Sequence, residues 1–404
     1  MSTIIAIVGR PNVGKSTLFN RLTGSRTAIE DTVSGVTRDR NYGQCEWNGK
    51  NFSVIDTGGY IENSEDVFAE EINKQIIFAV EQADLIVFLV DAHEGITPMD
   101  TDIANILRKV NKKTILTANK ADNTKYLNEA SEFYNFGFDN LYFISAISGS
   151  GTGELLDYIA ANIQATPETE YSDLPKIAIV GKPNTGKSSL LNALTGEQRS
   201  IVTDIPGTTR DSVFTPYNKF KFNFLLIDTA GIRKKNKVYD NIEFYSILRS
   251  VRAIEESDVC LLLIDATEGT LAQDMYILNL IQKNKKGLVI VINKWDLVEK
   301  DTKTSKTFEQ SIRNKIAPFS DVPIIFTSVI NNQRIFKTLE AAMEVFENLK
   351  RKIPTSKLNK DFAQILEQTP PPSYKSKRIK IKYLTQLPTK TPSFVLFCSN
   401  AQYV

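Results

Sequence analysis

Short β-branched and aliphatic runs recur along the chain, each followed by a helical stretch, and this alternation predicts a mainly parallel sheet covered by helices on both faces. The first series places strands near residues 3–9, 52–57, 84–90, 114–118 and 141–145, and ends in a helix near 152–163. A second series places them near 176–181, 224–229, 258–265, 288–293 and 323–328, closed by a helix near 335–349. Asn48-Gly49, between apolar-containing runs, signals a hairpin and hence one antiparallel edge strand before Asp56. Residues 166–175 hold two prolines and three acids but no base, and read as a linker. After residue 350 the pattern changes to a helix near 355–368, the run Thr369-Pro370-Pro371-Pro372, and strand-like runs over 378–385 and 393–399. The expected organisation is thus 1–165, a linker over 166–175, 176–350, and a small α+β unit over 351–404.

The two series are copies of one another. Gly9-Arg10-Pro11-Asn12-Val13-Gly14-Lys15-Ser16 recurs as Gly181-Lys182-Pro183-Asn184-Thr185-Gly186-Lys187-Ser188, an offset of 172. Thr37-Arg38-Asp39 and Asp56-Thr57-Gly58-Gly59 recur at the same offset as Thr209-Arg210-Asp211 and Asp228-Thr229-Ala230-Gly231. From Asp91 and Asp265 onward, including Asn119-Lys120-Ala121-Asp122 and Asn293-Lys294-Trp295-Asp296, the offset is 174.

Composition narrows the function classes. At 404 residues, 42% apolar and 24% charged, the chain is that of a globular protein of two or three domains, with disorder excluded as its main state. No basic-then-apolar leader precedes the first strand and no apolar run approaches the ~18 residues of a membrane span, so neither secretion nor membrane insertion is expected. Cys45, Cys260 and Cys398 are too far apart to frame a disulfide scaffold or a zinc site, and free thiols suit a reducing cytoplasm. The only histidine, His93, is matched by Thr267 in the second copy and reads as a solvated loop residue. The net charge of +2 conceals a division: residues 351–404 carry ten Lys/Arg against two Asp/Glu, +8, which leaves −6 for the rest.

The repeated positions carry phosphate chemistry. G-x-x-x-x-G-K-[ST] between a strand and a helix is a phosphate cradle: backbone N–H groups and a helix N-terminus wrap the α/β-phosphates, Lys15 and Lys187 reach the β/γ oxygens, and Ser16 and Ser188 ligate Mg²⁺. Thr17 and Ser189 follow within the cradle. Asp56 and Asp228 at strand ends hold Mg²⁺ through water, while Gly59 and Gly231 present an N–H to the γ-phosphate. Thr37 and Thr209 are the natural second Mg²⁺ ligands, and Arg38 and Arg210 read as partners of Asp39 and Asp211 rather than as arginine fingers. Asn119-Lys120-x-Asp122 and Asn293-Lys294-x-Asp296 select the base: a carboxylate accepts from guanine N1–H and N2–H₂ and repels the acceptor edge of adenine, so GTP is expected, not ATP. Ser145-Ala146 adds backbone contacts to guanine O6, whereas Ser328-Val329 puts a branched residue at the equivalent place and makes base affinity there less certain.

With these motifs in tandem, the chain resembles the Der (EngA) family of bacterial GTPases from residue 3 to about 399. The resemblance implies two P-loop G domains followed by a KH-like domain, cytoplasmic GTP hydrolysis, and a role in assembly of the large ribosomal subunit through rRNA. DNA and membranes are not expected partners, and a monomer is expected. Ser34 stands where the family usually has Pro, and the family's last domain continues with a further helix and strand, so the unit over 351–404 is expected to be incomplete. Tyr60 and Ile232 occupy the place of the water-orienting Gln of Ras-type GTPases, which implies slow intrinsic hydrolysis. Asn12 and Asn184 match the asparagine that helps coordinate K⁺ in similar GTPases, implying K⁺-stimulated turnover.

Two charge patterns complete the picture. Glu62, Glu65, Asp66, Glu70 and Glu71 follow the first D-x-x-G, but Arg233, Lys234, Lys235 and Lys237 follow the second. They are either solvated helix faces or switches of opposite charge, the acidic one for the +8 unit and the basic one for RNA. Lys375, Lys377, Arg378, Lys380 and Lys382, beside Tyr374 and Tyr383, suit salt-sensitive phosphate-backbone contact with structured RNA, with no evident aromatic platform for bases. A second function class stays open, a GTPase whose C-terminal unit binds a protein or membrane surface.

Overall fold

The computed structural model of the chain describes residues 3–24, 42–57, 76–77, 79–81, 83–110, 112–122, 130–163, 174–195, 213–228, 243–299, 304–319, 321–370, 379–389 and 391–399. The first copy forms strands β1 (Thr3–Val8), β2 (Tyr42–Trp47), β3 (Lys50–Asp56), β4 (Leu85–Asp91), β5 (Thr114–Asn119) and β6 (Leu141–Phe143), with helices α1 (Lys15–Thr23), α2 (Pro98–Val110) and α3 (Thr152–Asn162). The sheet order is β2-β3-β1-β4-β5-β6. All pairs are parallel except β2–β3. The run Leu-Ile-Val-Phe-Leu-Val-Asp of β4 is buried throughout, as a central strand covered on both faces must be. Strand alternation sends Ala6, Val8, Ile86, Phe88 and Val90 to one face against Ile103 and Leu107 of α2. Ile5, Ile7, Val87 and Leu89 go to the other, against Leu18 and Leu22 of α1 and Leu155 and Ile159 of α3.

The second copy repeats this plan with β7 (Lys176–Val180), α4 (Lys187–Thr195), β8 (Val213–Lys219), β9 (Phe222–Asp228), α5 (Glu243–Glu256), β10 (Val259–Asp265), α6 (Ala272–Lys283), β11 (Gly287–Asn293), α7 (Thr304–Ile316), β12 (Ile324–Phe326) and α8 (Ile335–Lys350). Its sheet order, β12-β11-β10-β7-β9-β8, matches that of the first copy. Helix α9 (Thr355–Gln368) and the antiparallel pair β13 (Ile381–Gln386) and β14 (Phe394–Cys398) form the basic C-terminal part. Asn359 fastens α9 to β13: its Nδ2 donates to the Leu384 carbonyl and its Oδ1 accepts from the Leu384 N–H, each at 2.8 Å. By contact the chain divides into two compact units, residues 1–172 with 238–256, and 173–237 with 257–404.

The hairpin signalled by Asn48-Gly49 is present, with φ of 48° and 73° at the two turn residues, the left-handed pair that a two-residue turn requires. The hairpin of β8 and β9 escapes the sequence reading. Its turn residues are Phe220 and Lys221, which take φ of 53° and 67° although neither favours that region. Pro216 lies within β8, which the sheet order places at the edge, where a missing N–H is tolerated.

The two turns give opposite expectations. At Gly49 a Cβ would meet nothing within 4 Å, so Gly49→Ala isolates the backbone cost and lowers stability by about 1 kcal/mol. Lys221→Gly relieves the same strain and raises stability by about 1 kcal/mol, both read as shifts in urea midpoint.

Candidate functional site

Each phosphate loop turns through left-handed residues at matching places: Asn12 (φ 64°) and Gly14 (φ 95°) before α1, Asn184 (φ 63°) and Gly186 (φ 96°) before α4. Glycine is demanded twice over at Gly14 and Gly186. Beyond the positive φ, a Cβ at either would stand 2.3 Å from the side-chain nitrogen of Asn119 or Asn293. A Cβ at Gly9 or Gly181 would likewise stand 2.3 or 2.5 Å from a carbonyl oxygen, that of Leu89 or Leu263. Asn12 and Asn184 are exposed, as are Thr17 and Ser189 on the first helical turns.

The reason for the close approach is a brace. Asn119, 3% exposed, donates from Nδ2 to the Val13 carbonyl at 2.8 Å and accepts at Oδ1 from the Ala146 N–H at 2.8 Å. Asn293 does the same between Thr185 O at 2.8 Å and the Val329 N–H at 3.1 Å. One amide therefore ties the phosphate loop to the turn expected to face the base. The branched Val329 does not crowd that turn: its side chain, 5% exposed, packs into the core with Leu339 and Ala342, just as Ala146 packs into the first core.

Lys120 and Lys294, at φ 66° and 60°, are steered by carboxylates at the ends of β4 and β10. Lys120 bonds Asp91, and Lys294 bonds Asp265 at 2.6 Å. In the sequence Asp91 and Asp265 stand out only as repeat markers; their recurrence at the base motif's own offset is the signal that ties them to it. Burial pushes both carboxyls up, but the lysine bonds, the N–H groups of His93 and Thr267 and the lysine charges outweigh it and hold both below the ordinary carboxylate range. His93 thus contributes its backbone.

Lys15 Nζ, nearly buried, donates to the Arg10 carbonyl at 2.7 Å, and Lys187 donates to the Gly181 and Lys182 carbonyls at 2.8 and 2.6 Å. Arg10 is itself anchored, by Nε to Asp100 at 3.3 Å and by Nη2 to Glu94 at 2.6 Å. In the second copy Lys182 pairs with Glu268. Ser16 Oγ donates to Asp56 Oδ2 at 2.7 Å, so the two expected Mg²⁺ ligands of the first copy already converge. These hard oxygen donors fit a small divalent cation, while the helix N-terminus beside them fits the anionic phosphates. Asp122 is exposed and Asp296 half-buried, while Ser145 and Ser328 are each 1% exposed. Thr37, Gly59, Thr209, Gly231, Arg38, Arg210, Tyr60, Ile232, the side chain of Asp228 and the charged segments after each D-x-x-G lie outside the described residues.

Comparison with known proteins agrees with this duplication. The family described as 50S ribosome-binding GTPase matches residues 4–120 and again 176–294. The KH-domain-like family of EngA bacterial GTPase enzymes, C-terminal, matches 352–404. GTPase Der of Flavobacterium johnsoniae is 56% identical over 405 residues, spanning 100% of this chain and 93% of that protein. GTPase Der of Flavobacterium psychrophilum is 57% identical over 406 residues, with the same coverage. Among solved structures, Aquifex aeolicus Era bound to GDP and AlF4⁻ is 29% identical, covers 50% of this chain and 69% of its own, and has a TM-score of 0.35.

The brace and the steered lysine each carry an expected outcome. Asn119→Ala strips partners from the buried Val13 carbonyl and Ala146 N–H, and should cost the first unit about 2–4 kcal/mol in thermal or urea unfolding. Because the Asp91 carboxyl is held low, its contribution to stability is complete above the unfolded carboxyl value of about 4 and is lost as pH falls through the lower folded value. Asp91→Asn should therefore flatten the acid limb of an unfolding-versus-pH curve.

Proposed function

The chain belongs to the GTPase Der family, and on that premise we propose that it is a GTP-driven assembly factor of the large ribosomal subunit, working in the cytoplasm as a monomer through rRNA rather than DNA or a membrane. GTP and GDP binding, GTP hydrolysis and the use of Mg²⁺ come with the family. The proposed domains are 1–165 and 176–350 as G domains, joined by 166–175, with 351–404 as the KH-like part. The observation that carries the proposal is the conjunction of two equal phosphate-to-base braces with a C-terminal part of net charge +8 that matches the EngA KH-like family. Among the described residues no helix is long and apolar enough to cross a membrane.

The proposed chemistry follows from the residues. Lys15 and Lys187 count neutral carbonyls among their partners, which a phosphate's negative charge outcompetes, so GTP draws both ammonium groups to its β/γ oxygens. Mg²⁺, when bound, neutralises charge developing between those phosphates. Ser16 and Asp56 hold it in the first copy, Ser188 and Asp228 in the second, with Thr37 and Thr209 completing each set. Gly59 and Gly231 take the γ-phosphate through their N–H groups. Asp122 and Asp296 accept from the guanine N–H donors, while Lys120 and Lys294, fixed by Asp91 and Asp265, lie along the base. Tyr60 and Ile232 have no amide to align the attacking water, so hydrolysis is slow. The exposed, left-handed Asn12 and Asn184 lie within the cradles and would help hold a K⁺ ion, whose charge would offset that developing on the phosphates.

The C-terminal part adds a feature that sequence periodicity did not show. Tyr383 and Phe397, 45% and 40% exposed, stack across β13 and β14 with centroids 4.1 Å apart. Pairing joins residues with no sequence pattern in common, which is why no platform was evident. Such a surface beside Lys380 suits an unpaired base next to phosphate contacts.

Two experiments test the function. Purified large ribosomal subunits should co-sediment the chain with a non-hydrolysable GTP analogue, and rising salt should release it; pelleting equal to a no-ribosome control would refute the assignment. GTP turnover should rise severalfold when K⁺ replaces Na⁺ at equal ionic strength, and equal rates would remove the role given to Asn12 and Asn184.

A further inference from the structure

The two copies share the asparagine brace but hold the base-facing turn differently. In the first copy, Arg21 in the last turn of α1 reaches that turn: Nε donates to the Ala146 carbonyl at 2.5 Å and Nη2 to the Ile147 carbonyl. At Gly149, φ is 92°, so a side chain there is strained, and a Cβ, 2.6 Å from Arg21 Nη1, would push the guanidinium from its place. The same turn holds the apolar side chain of Ile147 80% exposed, where a purine ring would cover it.

At the repeat offset of 172, the second copy has Ala193 in place of Arg21, which offers no donor. There the Val329 carbonyl accepts from the Asn332 N–H at 3.2 Å, within its own turn. Both turns carry bonds of their own, Gly149 N–H to the Ser145 carbonyl in the first and Gln333 N–H to the Ser328 carbonyl in the second, but the carbonyl after the buried serine is taken by the helix that begins at the phosphate loop in the first copy and by its own turn in the second.

We propose that Arg21 is a positioning residue for the guanine site of the first copy, clamping the turn over Ser145, Ala146 and Ile147 in its nucleotide-binding shape. This rests on the reading that the turn faces guanine. The clamp acts by preorganisation. Nucleotide binding needs the base turn and the phosphate cradle at a fixed separation, and two charge-assisted bonds from α1 set that separation before the ligand arrives. Since Arg21 lies at the far end of α1 from the cradle, its influence falls on retention of nucleotide and not on the hydrolytic step. The two sites consequently release GDP at rates set by different elements, and the first can be loosened without touching the second.

The test uses the full chain loaded with N-methylanthraniloyl-GDP and chased with excess GDP, which reads release from both sites as two phases. Asp122→Asn assigns the first-site phase by abolishing it; if both phases survive, the base-site reading fails and the proposal with it. With that phase assigned, Arg21→Ala should speed it about tenfold. The second phase and kcat at saturating GTP should stay unchanged while KM rises, and Arg21→Lys should recover part of the loss by keeping one charged donor. An unchanged first phase in Arg21→Ala, equal acceleration of both phases, or a parallel fall in kcat would overturn the proposal.

Discussion

One planar amide, spanning two loops that are far apart in sequence, sets the geometry of each half of this protein. Asn119 spends its donor on Val13 and its acceptor on Ala146, and Asn293 repeats the pattern between Thr185 and Val329. Both amides are nearly inaccessible, so each bond satisfies a backbone group that water cannot reach. The close approach explains why Gly14 and Gly186 tolerate no side chain, why the cradle turns where it does, and why base and phosphate ends are held at one distance. Replace the amide and two buried backbone groups lose partners together.

Around this shared brace the copies diverge in how they are anchored. The first phosphate loop is held by Arg10 on the buried Asp100 and on Glu94, while the second relies on Lys182 and Glu268. Asp274, the counterpart of Asp100, caps α6 by accepting from the Leu271 N–H, and burial pushes its carboxyl up. A forked guanidinium serves two acids at once; a lysine serves one. The two copies thus keep the amide brace and differ in the charged groups around it.

Much of this was legible in the sequence because the relevant physics is local. Asn48-Gly49 announces its turn, and the unbroken apolar run of β4 announces a strand covered on both faces. The glycines and lysine of each cradle announce phosphate. What stayed hidden depends on contacts across the chain. Phe220 and Lys221 adopt a turn that their own preferences oppose, because the strands on either side pair. Val329 reads in the sequence as a branched residue where a small one is expected, and its side chain fills the core. Asn119 reads in the sequence as part of base recognition, and the structure shows that it also links the two loops; Asp91 and Asp265 read as repeat markers and are the groups that steer the neighbouring lysines.

The central claim is that this chain carries two independently formed guanine-nucleotide sites built on the same brace. Calorimetric titration of the nucleotide-free chain with GDP tests it most directly. The account predicts two GDP bound per chain, one after Asp296→Asn alone, and none when Asp122→Asn is added. A stoichiometry of one in the unaltered protein, or no change on either substitution, would contradict it.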